Sequence, residues 1–198
     1  MTRRVFFSFH YQRDIRRVMQ VRNHYITKEN YTEAGYFDGS LEEKSKKEGD
    51  QSVKRLIDNG LIGSSVLCVL IGAETYQRRW VHYEIFKSIE LGMGIFGVRI
   101  HGLRDPNFGV DNPGISPFDI LGYELGAAGE RKPAISFTYG WKTAPNVSPL
   151  YQPSAPYLKN IGSTSLTNLF PVYDWLQNDG YSHFGIWIEA AARQAGRR

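Results

Sequence analysis

Apolar residues in this chain fall into short runs separated by stretches of helical period. Val5-Phe6-Phe7-Ser8-Phe9 reads as a first strand. His10 to Arg13 form the turn, and from Asp14 the positions Ile15, Val18, Met19, Arg22 and Tyr25 keep helical spacing. Gly35-Tyr36-Phe37-Asp38 reads as a second strand, and Gly39 to Gly49 as a polar loop. Asp50 suits the cap of a helix running to about Asn59, with Gly60 ending it. Ser65 to Ile71 is uniformly apolar, as a parallel strand covered on both faces should be. A loop over 72–79 leads to a helix over Trp80–Leu91, with Val81, Ile85 and Ile89 inward, and then to a strand over Ile95–Ile100. This alternation predicts an α/β fold: a flavodoxin-like, doubly wound parallel sheet with helices on both faces.

After Gly102 the texture changes. Residues 103–165 carry Pro106, Pro113, Pro117, Pro133, Pro145, Pro149, Pro153 and Pro156, eight of the nine prolines. The expectation is a loop-rich elaboration with a small hairpin around Ala134–Trp141. Val172–Trp175 fits a last strand or a helix start, and Gly180–Ala192 a helix. The whole reads as one domain over 1–198: a core over about 1–102, an insertion over about 103–165, and a closing strand and helix over about 166–194.

Composition narrows the function classes. The net charge of +4 is too mild for a nucleic-acid signature, so no DNA partner is expected. The single cysteine, Cys68, lies in an apolar run and excludes an internal disulfide or a cysteine zinc site. The five histidines show no metal spacing, so no metal is expected. No apolar stretch is long enough for a membrane span, and a cytoplasmic location is expected. Gly92-Met93-Gly94-Ile95-Phe96-Gly97 matches G-x-G-x-x-G, but a helix precedes it and a strand follows, the reverse of a dinucleotide fingerprint. The arginines at 3, 4, 13, 16, 17 and 22 read as a solvated basic face.

The candidate chemistry centres on Trp80-Val81-His82-Tyr83-Glu84. Trp80 and Glu84, four residues apart, share one helix face. In open α/β sheets, ligands collect beyond the carboxyl ends of the strands. That rule gathers Phe9, His10 and Tyr11, then Asp38 and Ser40, then the loop before Trp80, around a crevice faced by Glu84. The plain alternative for Glu84 is a surface salt bridge with Lys87.

Arg4-Val5-Phe6-Phe7-Ser8-Phe9 with Asp14, and Trp80-Val81-His82-Tyr83-Glu84, resemble the first strand and the catalytic-helix motif of TIR domains, with Val81 where that motif has Cys. The wider chain is similar to the TIR-domain proteins of the bacterial Thoeris anti-phage system. The matching pieces include Val21-Arg22-Asn23-His24, Arg78-Arg79-Trp80-Val81, Pro117-Phe118-Asp119 and Tyr173-Asp174-Trp175. The resemblance implies an enzyme that cleaves nicotinamide from NAD and forms a cyclic ADP-ribose isomer. That product would activate a partner effector, ThsA, in response to a phage-derived trigger. It carries the catalytic role to Glu84, and substrate binding to Phe9, His10, Tyr11, Asp38, Ser40, Trp80 and Tyr83. NAD is then a substrate, and no cofactor is implied. Assembly of copies on activation is also implied, with residues 39–49 as a loop that completes a neighbour's site. The alternatives are a non-catalytic TIR scaffold and a hydrolase giving linear ADP-ribose. A response-regulator role would ask for an acidic cluster where His10 and Tyr11 stand.

Overall fold

The structure is a computed structural model that describes residues 3–26, 31–35, 41–145, 147–151, 155–157 and 164–197. Its centre is a parallel sheet of β1 (Arg3–Ser8), β2 (Tyr31–Gly35), β3 (Val66–Ile71), β4 (Gly94–Arg99) and β9 (Val172–Asp174) in the order β2-β1-β3-β4-β9. This is the flavodoxin-like order, in which the winding reverses between β1 and β3. Every residue of β3 is buried, which explains its unbroken apolar sequence.

Strand alternation divides the core in two. Phe6, Leu67, Val69, Ile71 and Ile95 face α3 (Asp50–Leu61) and α4 (Arg79–Glu90), meeting Val53, Ile57, Val81, Ile85 and Ile89. Val5, Phe7, Cys68, Leu70, Phe96 and Val98 face α1 (Tyr11–Ile26) and α6 (Gly180–Gln194), meeting Val18, Val21, Phe184 and Ile188. Gly94 is required by this second packing. A Cβ there would sit 2.4 Å from the Ala191 carbonyl oxygen, so α6 lies directly on the β4 backbone.

Several boundaries differ from the sequence expectation. The described second strand is Tyr31–Gly35, while the strand expected over 35–38 lies, beyond Gly35, outside the described residues. The polar stretch 39–49 is largely helical, as α2 (Leu41–Glu48). Its Lys and Glu residues are good helix formers, and Lys44 stands 3.8 Å from Glu48 one turn on. Asp50 is the first residue of α3 rather than its cap, a place held by Gly49 at φ 82. Gly60 is inside that helix, which runs on until Leu61 is buried.

The proline-rich region also holds more order than a hairpin. After the short α5 (Pro117–Ile120), β5 (Leu121–Leu125), β6 (Arg131–Phe137), β7 (Gly140–Thr143) and β8 (Thr164–Ser165) form an antiparallel sheet in the order β7-β6-β5-β8. It packs on α4 through Phe86 and Tyr123, whose rings meet edge-on at 5.5 Å. The Tyr157 hydroxyl donates to the Met93 carbonyl at 2.7 Å. The elaboration therefore extends the α4-side core, and many of the aromatic residues lie in that seam.

Candidate functional site

Ser8 ends β1 on the face that looks toward α4. Glu84 lies on the second turn of α4 and points back at the sheet. The Ser8 hydroxyl donates to Glu84 Oε2 in a short hydrogen bond. Both residues are buried, Glu84 with 4% of its surface exposed. Burial raises the Glu84 pKa to about 8, against the opposing pull of the Ser8 hydroxyl. The carboxyl is thus largely protonated at neutral pH in the free protein. The alternative of a surface salt bridge does not hold, because Lys87 pairs with Glu90 at 2.9 Å.

His10 follows two residues later at the C-terminal end of β1, 6% exposed. Neither of its ring nitrogens has a hydrogen-bond partner among the described residues. Burial and the charges of Arg78 and Arg13 push its pKa down to about 4, so it is neutral at pH 7. Trp80 is one turn before Glu84 and 5% exposed. Its indole N–H has no hydrogen-bond partner among the described residues, and the Arg79 guanidinium lies 4.6 Å from its ring.

The family model described as Thoeris protein ThsB, TIR-like domain, matches residues 6–105, the span that holds Ser8, His10, Trp80 and Glu84. The chain belongs to this family. A Bacillus cereus (strain MSX-D12) relative, ThsB1, is 44% identical over 191 residues, covering 95% of this chain and the whole of the relative. The name of that relative proposes a cyclic ADP-D-ribose synthase.

Within this ThsB-family domain the other candidates from the sequence divide. Phe9 faces the opposite side of the sheet from Glu84, packing on the α1 and α6 core and lying 6.3 Å from the Tyr11 ring. Tyr83 turns toward α3, where its hydroxyl donates to Asp58 at 3.0 Å. Asp38 and Ser40 lie outside the described residues.

Two features were missed in the sequence. From the sequence Ser8 reads only as part of the first strand. Its signal was a polar side chain in an otherwise apolar strand, on the parity of Phe6. The second is a charge network behind the crevice. Arg17, fully buried, donates to Asp14 at 2.9 Å and to the carbonyls of Leu103 and Gly109, each at 2.9 Å. Arg13 grips Asp111 through two bonds of 2.8 and 3.1 Å. The supposed solvated basic face therefore ties α1 to the segment 103–111. Arg3 likewise pairs with Glu189 of α6 at 3.1 Å. Asp14 is fully buried, and burial raises its pKa to about 6. Its carboxylate occupies the space a side chain at Gly72 would need, since a Cβ there would lie 2.1 Å from Asp14 Oδ2.

Among the described residues, no group of His, Cys, Asp or Glu is placed to hold a metal ion. No helix of the described residues is long and apolar enough to cross a membrane.

Proposed function

We propose that this protein cleaves the bond between nicotinamide and ribose in NAD and closes the remaining ADP-ribose into a cyclic isomer, with Glu84 as the catalytic carboxylate. The observation that carries the proposal is the buried Ser8–Glu84 pair at the carboxyl end of β1. Membership of the ThsB family, and the name of the ThsB1 relative, support the substrate and product class.

The chemistry asks for little more than one carboxylate. Nicotinamide in NAD is a cationic pyridinium that departs as a neutral ring, so no acid must protonate it. Positive charge moves onto the ribose in an oxocarbenium-like transition state, as in glycoside cleavage. A carboxylate held in a dry site stabilises that charge far better than one in water. The raised Glu84 pKa fits this role. The arriving pyridinium favours ionisation of the acid, and Glu84 releases its proton as substrate binds. When neutral nicotinamide leaves, the positive charge stays on the ribose and keeps Glu84 ionised until the attacking group neutralises it. The carboxylate can then accept the proton of the ADP-ribose group that attacks the anomeric carbon. Cyclisation over hydrolysis requires that water be kept out, and the burial of Glu84 and Trp80 supplies that condition. NAD is a substrate here, and the mechanism needs no cofactor.

The cyclic product would serve as a diffusible signal to the effector ThsA in anti-phage defence. The test is mass-resolved nucleotide analysis of cells with and without phage, comparing wild type with Glu84→Gln. The expected result is an infection-dependent species with the mass of cyclic ADP-ribose, absent from the variant. Linear ADP-ribose alone would make the protein a hydrolase. Signalling that survives Glu84→Gln would make it a scaffold.

A further inference from the structure

We propose that Arg13, Arg78 and His10 form an anion subsite for the diphosphate of a nucleotide, and that the Glu74 carboxylate fills it as an internal stand-in which the ligand displaces. The inference rests on the NAD-cleaving reading for the ligand's identity, and on separate residues for its evidence.

The subsite lies where the winding of the sheet reverses, between β1 and β3, the crevice in which open α/β sheets bind ligands. β1 runs into His10, and β3 runs into the turn that carries Glu74. Three donors from different segments surround the Glu74 carboxylate. Arg13 Nη1 is 3.2 Å from Oε1, Arg78 Nη2 is 3.8 Å from Oε2, and His10 Nδ1 is 4.0 Å from Oε2.

The Arg13 distance is at the outer edge of a hydrogen bond, and the other two are too long for one. The carboxylate is too small for the space its donors define. The unmet demand is visible at the atoms: both His10 nitrogens and Arg78 Nε are buried without a partner among the described residues. Buried polar atoms left unpaired are costly, so an arrangement that keeps several calls for an occupant. A phosphoryl group is bulkier than a carboxylate and offers more acceptor oxygens. The N-termini of α1 and α4 start beside the same crevice and favour an anion there.

The charges agree. His10 is neutral at pH 7 and contributes an N–H rather than a full charge. Arg13 is partly engaged by Asp111 at 2.8 Å. With Glu74 in place the cage is near neutrality, and withdrawal of Glu74 leaves it cationic. Glu74 can withdraw, since its side chain is 39% exposed.

The spacing to Glu84 is also right. His10 is two residues beyond Ser8, at most about 7 Å along the chain. Arg78 caps the helix that carries Glu84. In NAD one ribose separates the scissile bond from the nearer phosphate, a span of the same order.

The test is calorimetric titration of the full chain with ADP, which carries the diphosphate but no scissile nicotinamide bond. Wild type is compared with Arg78→Gln, Arg78→Lys and Glu74→Gln, each checked for native circular dichroism. Loss of a charge-assisted hydrogen bond predicts about tenfold weaker ADP binding for Arg78→Gln. Arg78→Lys should recover part of that loss. Glu74→Gln should bind ADP more tightly, by a few-fold. With NAD as substrate, the same changes should appear in KM rather than kcat. Equal ADP affinity in wild type and Arg78→Gln, weaker binding by Glu74→Gln, or no ADP binding by wild type would each overturn the subsite. Arg78-dependent ADP binding without any NAD cleavage would keep the subsite and refute the NAD reading. NAD cleavage with a KM indifferent to Arg78 would refute the subsite alone.

Discussion

Glu84→Gln should make the protein more stable at neutral pH, relative to acid, than wild type. The side chain is 4% exposed, and burial moves its pKa from 4.5 to about 8. Below 4.5 both folded and unfolded chains carry the protonated acid, and the site costs nothing. Between 4.5 and 8 the unfolded chain is ionised while the folded chain holds a proton. Stability then falls by about 1.4 kcal/mol for each pH unit. Above 8 the full cost is reached, roughly 5 kcal/mol as an order of magnitude. Glutamine does not titrate, so this slope disappears. Its amide N–H₂ gains no designed acceptor, a penalty of about 1–3 kcal/mol that is independent of pH. The informative quantity is therefore the change in the difference between the two proteins. Linkage gives a gain for the variant on the order of 2–3 kcal/mol between pH 5 and pH 7. Urea unfolding at pH 5, 6, 7 and 8.5 would measure it. A difference that stays flat with pH, or grows in favour of wild type toward pH 8.5, would refute the placement of Glu84 as a buried acid.

Further outcomes follow from the same geometry. Because the Ser8 hydroxyl favours the ionised form of Glu84, Ser8→Ala should push that pKa higher still. The alkaline-rising limb of kcat/KM for NAD should then move to higher pH, with about a tenfold loss at pH 7; a lower overall rate with an unmoved profile would count against the pairing. Gly94→Ala places a methyl group 2.4 Å from the Ala191 carbonyl oxygen, and thermal unfolding should register about 1–3 kcal/mol of lost stability, or more. Gly72→Ala drives a methyl group into the Asp14 carboxylate; a loss of similar size is expected by chemical denaturation, and an unchanged midpoint would refute the close contact.

What could be read from the sequence tracks how strongly each segment is constrained. β3 is buried on both faces, so its apolar run marked it plainly. The Trp80–Glu84 helix was legible because its inward positions repeat with helical period. Among the described residues β2 is the edge strand, bonded to β1 alone. α2 is hard to see in the sequence because charge on every side looks like a loop until helix propensity is weighed. β6 begins ahead of the hairpin expected around Ala134–Trp141 and takes in a proline, Pro133. It is tolerated because β7 pairs with β6 only from Ala134 to Phe137, just beyond the proline. The carboxylate of the site was legible and its partner was not. Glu84 stood out against apolar neighbours, whereas Ser8 gains meaning only when two segments 76 residues apart meet.

The closing of the central sheet has a consequence for synthesis. β9 and α6 come from the far end of the chain, yet α6 covers Phe7 and Phe96, and its Glu189 holds Arg3 at the other end. As the polypeptide leaves the ribosome, Ser8 and Glu84 emerge early, while the face of their sheet that α1 shares with α6 stays only partly covered until residues 172–194 arrive. Such long-range closure is slow, and the waiting apolar face invites aggregation. A prematurely terminated chain would hold every residue of the Ser8–Glu84 pair and still lack the layer that keeps its strands folded.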